Sequence, residues 1–267
     1  MYYISSPSIH SGYIVDLYYI IAGATVGLII GITGVGGGSL MTPLLVLGFN
    51  VQPAIAVGTD LLYAAITKAG GVWSHQKLKN IDWSIIKNLC LGSIPGSILC
   101  VGAIQYFNIS SEAFDQVISI TLGFMLIITS LVIIFKNSLK KLFNKTTHKP
   151  PKAITIVVLG AMLGILVTLS SVGAGAIGGA ILLILYPSLR ARTIVGTDIA
   201  HAVPLTAIAG LGHLQLGHID FNLLLSLILG SIPAIHIGAK LGEKLPENIL
   251  KFVLATILLG IGIKFAI

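Results

Sequence analysis

Val57-Gly58-Thr59-Asp60 recurs as Val195-Gly196-Thr197-Asp198, 138 residues later. The same offset carries His75 onto His213, Ile81-Asp82-Trp83 onto Ile219-Asp220-Phe221, and Gly92-Ser93-Ile94-Pro95 onto Gly230-Ser231-Ile232-Pro233. One residue out of step, Val35-Gly36-Gly37-Gly38 corresponds to Val172-Gly173-Ala174-Gly175. Chance does not preserve one offset across separate motifs, so the chain is an internal duplication.

Outward from these motifs the sequence is almost continuously apolar. Of 267 residues 55% are hydrophobic and 9% charged, where a domain that dissolves in water carries about a quarter charged. A soluble globular protein is excluded, and the surrounding medium is a lipid bilayer. Crossing a hydrocarbon core of about 30 Å takes about 20 helical residues. Five apolar segments precede the middle of the chain, at 14–33, 39–49, 53–73, 83–106 and 115–135, and five follow it, at 153–172, 176–186, 194–213, 221–239 and 248–266. The second of each five is short, about 11 residues or 16 Å of helix, half a membrane. Strands suit neither these lengths nor this apolarity.

The net charge of +7 reports topology and no nucleic-acid partner, because membrane proteins gather Lys and Arg in cytoplasmic loops. Lys136, Lys140, Lys141, Lys145, Lys149 and Lys152 occupy one connection that contains no acid, which makes it cytoplasmic; with His148 it forms a solvated basic face. Lys77 and Lys79 mark another cytoplasmic loop, yet its counterpart from Leu214 to Asp220 has no Lys or Arg. Arg190 and Arg192 instead fall where the first half has the uncharged Asn50 to Gln52. The charge pattern inverts between the halves, as an inverted-topology repeat requires. The expected fold is an all-α polytopic membrane protein of two inverted-topology repeats, with short half-helices after Gly-rich breaks and roughly eight to ten membrane segments. The first repeat occupies 14–135, a basic cytoplasmic linker 136–152 and the second repeat 153–266. Both termini are predicted outside the cytoplasm. Met1 to Ser11 lacks the basic region of a cleavable signal, the first basic residue being Lys68, so the first apolar segment is expected to drive insertion. Cys90 and Cys100 lie about 15 Å apart on one helix, too far to bridge.

Three motifs carry chemistry. Thr33-Gly34-Val35-Gly36-Gly37-Gly38-Ser39 and Ser170-Ser171-Val172-Gly173-Ala174-Gly175 each interrupt an apolar span before a short helix. Broken backbone at membrane depth belongs where it is buried in protein or lines a cavity, and the helix that follows presents free N–H groups and a positive dipole end. Two such ends with the hydroxyls of Thr33, Ser39, Thr42, Ser170 and Ser171 suit a small oxyanion; glycine-mediated helix packing is the plainer reading. Next comes Gly-Thr-Asp. An Asp inside a span costs about 2.5–3.5 kcal/mol and by default marks a functional or paired site. Asp198 shares a helix face with His201, and Asp60 with Tyr63; Lys68 is the one basic residue near the middle of a span. Asp60, Asp198, His201 and Lys68, with Thr59 and Thr197, are candidates for proton coupling or charge balance, against a helix-capping role for the two acids. The third motif, Gly-Ser-Ile-Pro, reads as a helix kink, with a cavity-lining or hinge role second. The seven histidines lack metal-ligand spacing, so no metal or cofactor is expected, and the chain has neither the His-Glu-x-x-His of an intramembrane metalloprotease nor the paired motifs of an aspartyl one. An anion channel remains the alternative to a transporter.

Gly34-Val35-Gly36-Gly37-Gly38-Ser39-Leu40-Met41-Thr42-Pro43-Leu44-Leu45, with the duplicated Gly-Thr-Asp and Gly-Ser-Ile-Pro, resembles the TauE/SafE sulfite exporter family of membrane transporters. The resemblance runs from about Ala22 to Ile263. It implies a secondary transporter of sulfite, sulfonates or related sulfur-containing anions, and it points to Gly36, Gly37, Gly38 and Pro43, with Gly173 and Gly175, as the anion site. The second copy reads Gly-Ala-Gly where the first reads Gly-Gly-Gly.

Overall fold

A computed structural model describes residues 16–33, 38–107, 110–143, 151–242 and 247–266. Ten helices account for nearly all of them: α1 Leu17–Thr33, α2 Gly38–Phe49, α3 Pro53–Lys77, α4 Trp83–Tyr106, α5 Ser111–Phe143, α6 Ala153–Ser170, α7 Ala176–Leu185, α8 Ala191–Gln215, α9 Phe221–Gly242 and α10 Glu247–Ala266. Five are both long and apolar enough to cross a membrane, α4, α6, α8, most of α5 and nearly all of α9. Helix α3 equals α8 at 25 residues, but Asp60, Lys68 and its Ser74-His75-Gln76-Lys77 end dilute its apolarity. At 1.5 Å per residue, α2 with 12 residues and α7 with 10 reach only half the membrane.

Local chemistry sets the helix ends. Asp82 accepts from the N–H groups of Ser84 and Ile85, and Asp220 from those of Asn222 and Leu223, so equivalent acids cap α4 and α9. Pro53 opens α3, where its missing N–H costs nothing. Ser171 at φ 56° stops α6, its N–H donating to Val167 O at 2.8 Å. Helix α5 runs to Phe143, eight residues past the expected end of the first repeat and into the expected linker. Residues 136–143 contain Lys and Leu and neither Gly nor Pro, so nothing breaks the helix where the apolar run ends. Residues 144–150, with Lys145, His148 and Lys149, lie outside the described residues.

The two halves interlock. The first helix of each packs along the fourth of the other, α1 on α9 and α6 on α4, while α3 packs on α8 and α5 on α10. Glycines make these approaches possible: a Cβ on Gly92 would strike the main chain of Val157, and one on Gly230 that of Ile20. Such seams of small residues replace the hydrophobic drive that lipid cannot supply. Corresponding helices run in opposite directions, since Gly210 abuts Leu62 while Gly71, further along α3, abuts Ile199, earlier on α8. The same reversal brings Gly123 to Phe265 and Gly262 to Ile127 on α5 and α10. Each of the four buried apolar clusters draws on both halves. One of them holds Leu40, from the first turn of α2, with Ala176 and Ile177, from the first turn of α7. The starts of both half-helices therefore pack against one cluster. Cys90 and Cys100 are free.

Candidate functional site

Asp60 sits in the second turn of α3, fully buried, and its Oδ2 accepts from Thr42 Oγ1 at 2.6 Å. Thr42 lies just past the first turn of α2, so the carboxylate meets the positive end of the half-helix of its own repeat. Asp198, 4% exposed on α8, makes the matching approach to α7. A Cβ on Gly178 would collide with its Oδ1, and one on Gly179 would lie 3.7 Å from its Oδ2. Counted from the two breaks, Gly179 occupies the place of Thr42, so the repeats present their acids to the same turn, one through a hydroxyl and one through bare backbone.

The repeats also cross over at this point. The Ser171 side chain, from the break before α7, lies beside the Asp60 carboxyl. Asp60 Oδ1 and Ser171 Oγ are both fully buried, so the hydroxyl faces the carboxyl oxygen that Thr42 leaves free. Lys68, two turns beyond Asp60, donates from Nζ to Ala174 O at 2.5 Å in that same break. Its ammonium interacts electrostatically with both Asp60 and Asp198. Each acid thus meets the start of its own repeat's half-helix, and one cation acts on both.

The other site candidates divide. Ser39 is 5% exposed at the start of α2, and Pro43 is buried within it. Thr33 ends α1 and Gly38 begins α2, while Gly36 and Gly37 lie outside the described residues. In the second break Gly173 at φ 109° and Gly175 at φ 148° hold backbone conformations that a side chain would strain. Gly173 O accepts from the N–H groups of both Ile177 and Gly178, and Ser170 Oγ is engaged with Leu166 O and with Val172. The turn therefore satisfies much of its own backbone and leaves Ser171 as its spare hydroxyl.

Thr59 and Thr197 face away from the acids that follow them. Thr59 Oγ1 accepts from the N–H of Asp220 at 3.2 Å, and Thr197 Oγ1 from that of Asp82 at 3.0 Å. A Cβ on Gly58 would strike His218 O, and one on Gly196 would strike Asn80 O. Gly-Thr thus clasps the start of each Asp helix to the loop before the other repeat's fourth or equivalent helix. Valine at Thr59 or Thr197 strands one of these N–H groups, and each substitution is expected to lower stability by about 1 kcal/mol. Thermal unfolding in detergent measures this; unchanged midpoints for both variants would remove the clasp.

The Gly-Ser-Ile-Pro serine has a use that the sequence reading as a kink missed. Ser93 Oγ lies 2.8 Å from His201 Nε2 in a shared hydrogen bond. In the other half Ser231 is beside Tyr63, the residue at His201's equivalent position. The residue three beyond each Asp therefore reaches the serine of the opposite repeat's motif. His213 donates from Nε2 to Thr168 O at 2.9 Å and stacks with Phe114, which also stacks with His218. Burial holds the His218 imidazole below its usual range, with Asp115 opposing.

The family profile described as Sulfite exporter TauE/SafE matches residues 19–265. The chain is 39% identical to a probable membrane transporter protein, YjnA, of Bacillus subtilis, over 92% of this chain and 97% of that one. It is 28% identical to YdhB of the same organism, over 84% and 89%, and 26% identical to MJ0441 of Methanocaldococcus jannaschii, over 91% and 92%. Both are also named probable membrane transporter proteins. No solved structure matches. A helical chain matched over nearly its whole length by this profile and by these transporters, which are not named as enzymes, belongs to the TauE/SafE sulfite exporter family of multi-pass membrane transporters.

Proposed function

We propose that the protein is a secondary transporter of a small sulfur-containing oxyanion, such as sulfite or a sulfonate, working by alternating access about the place where α2 and α7 begin. The observation that carries this reading is the buried meeting of Asp60, Lys68 and Asp198 with the N-terminal turns of both half-helices. Helix starts and an ammonium attract an anion, and buried carboxylates beside them are proton acceptors that let its charge be balanced. The substrate class rests on the family description, Sulfite exporter TauE/SafE. Antiparallel corresponding helices suit rocking of one repeat against the other around a fixed site. The basic connection after α5 supports an orientation with that end on the cytoplasmic side of an inner membrane and both termini outside.

Purified protein in proteoliposomes is to be assayed for flux of sulfite, thiosulfate, sulfate and an organic sulfonate. Saturable sulfite or sulfonate flux is the expected result. Absence of saturable flux for all four would sink the substrate assignment.

A further inference from the structure

The charges at this site can be counted. Each half-helix start contributes about half an elementary charge, so α2 and α7 together give about one positive charge. Lys68 adds another, and ionised Asp60 and Asp198 subtract two. In the second half Thr206 holds the place equivalent to Lys68, and its hydroxyl bonds Ala202 O of its own helix at 2.9 Å, so among the described residues that position supplies no second cation. Among the described residues, Tyr63 also faces Asp60, and His201, engaged with Ser93, faces Lys68; the count takes both in their uncharged forms. The empty site therefore sums to about zero.

Resting on the anion-transport reading, we propose that Lys68, Asp60 and Asp198 make anion entry strictly proton-coupled, one proton for each negative charge bound. A buried net charge is costly without a partner, so a monoanion enters with one proton and a dianion with two. The first proton has a defined place on Asp60. Oδ2 already accepts from Thr42, and Oδ1 is buried with the Ser171 hydroxyl beside it. Protonation at Oδ1 converts an acceptor into a donor next to a second hydroxyl donor, which favours an oxyanion where carboxylate alone would repel it. The proton leaves Oδ1 when the anion departs. Lys68 tunes the count: tethered to Ala174 O, its charge lets both acids remain ionised while the site is empty.

Sulfite is the probe, in proteoliposomes carrying an internal pH dye and assayed also for current. The wild type is expected to move sulfite with no net charge, since bisulfite with one proton and the dianion with two are both neutral. Asp60→Asn removes one acid from the count, so flux should carry one negative charge per turnover and lose part of its dependence on the pH gradient. Adding Lys68→Met to that variant brings the sum back to zero, and electroneutral, pH-dependent flux should return. An electroneutral Asp60→Asn, or a double variant that stays electrogenic, overturns the proposal. A second measurement needs no anion: at neutral pH, folded Lys68→Met should show the infrared band of one protonated carboxyl that the wild type lacks. Failure to gain that band overturns the charge count. A wild type that moves no sulfite refutes the substrate assignment alone, and the infrared comparison then decides the count.

Discussion

Gly178→Ala is expected to lower sulfite flux by about a hundredfold, the loss that follows when reacting or binding groups shift by about 1 Å. Gly178 is the third residue of α7, and a Cβ there falls on Asp198 Oδ1 and also faces Leu163 at 3.6 Å. Neither neighbour yields easily. Asp198 is anchored in α8, whose Gly196, two residues earlier, is locked against Asn80 O, and Leu163 is 2% exposed in α6. The half-helix must therefore withdraw from the acid or the acid must rotate away from the helix start, and either change separates Asp198 from the dipole that favours its charge. Gly260→Ala is the control, since a Cβ on Gly260 meets nothing within 4 Å. Both variants are to be compared by flux after gel filtration confirms intact protein. Gly178→Ala flux within about twofold of wild type, where a misplacement should cost far more, would detach Asp198 and α7 from transport.

Helix boundaries were legible where apolar runs coincide with breakers. The expected 83–106 is α4 residue for residue, and 39–49 differs from α2 only at Gly38. Asp82 in front of the first and the Gly run in front of the second supply the chemistry of a helix start. The extension of α5 was not legible, because loss of apolarity marks the edge of a membrane and not the end of a helix. The duplication itself was plain from one offset, yet the offset does not say which half a helix packs against. That depends on where glycines let main chains touch, as at Gly92 with Val157 and Gly230 with Ile20, a tertiary fact that helical periodicity does not encode.

The acids were legible for the same reason that they are expensive, being charges inside spans. Their partners were not. Spacing of three residues puts His201 and Tyr63 on the faces of Asp198 and Asp60, but the hydrogen bond to Asp60 comes from Thr42 on another helix, and His201 shares one with Ser93. A helix face fixes a direction, while the residue found in that direction comes from the fold. Thr59 and Thr197, adjacent in sequence to the acids, point the other way for the converse reason: neighbours on a helix are about 100° apart, so a motif of consecutive residues serves two surfaces at once.

Gly92→Val or Gly230→Val is expected to destabilise the protein by about 3 kcal/mol or more, the upper range for overpacking, because what each side chain meets is main chain. In these seams the helices approach until Cα faces a carbonyl oxygen. Gly92 faces Val157 O and, in return, Gly160 on the same partner helix faces Leu89 O. Side chains can change rotamer to admit a methyl group, whereas a carbonyl moves only if its helix moves, and α4 also carries Ser93, whose hydroxyl is bonded to His201. Parting α4 from α6 therefore spreads into the site through the neighbouring residue. Gly102→Val on the same α4 meets nothing within 4 Å and should leave the thermal midpoint nearly unchanged apart from helix propensity, a few tenths of a kcal/mol. Thermal unfolding of the four proteins in detergent gives the comparison. Should Gly92→Val and Gly102→Val unfold together, the close approach of α4 and α6 is not what holds the two halves, and the weight of the assembly shifts to α3 against α8 and α5 against α10.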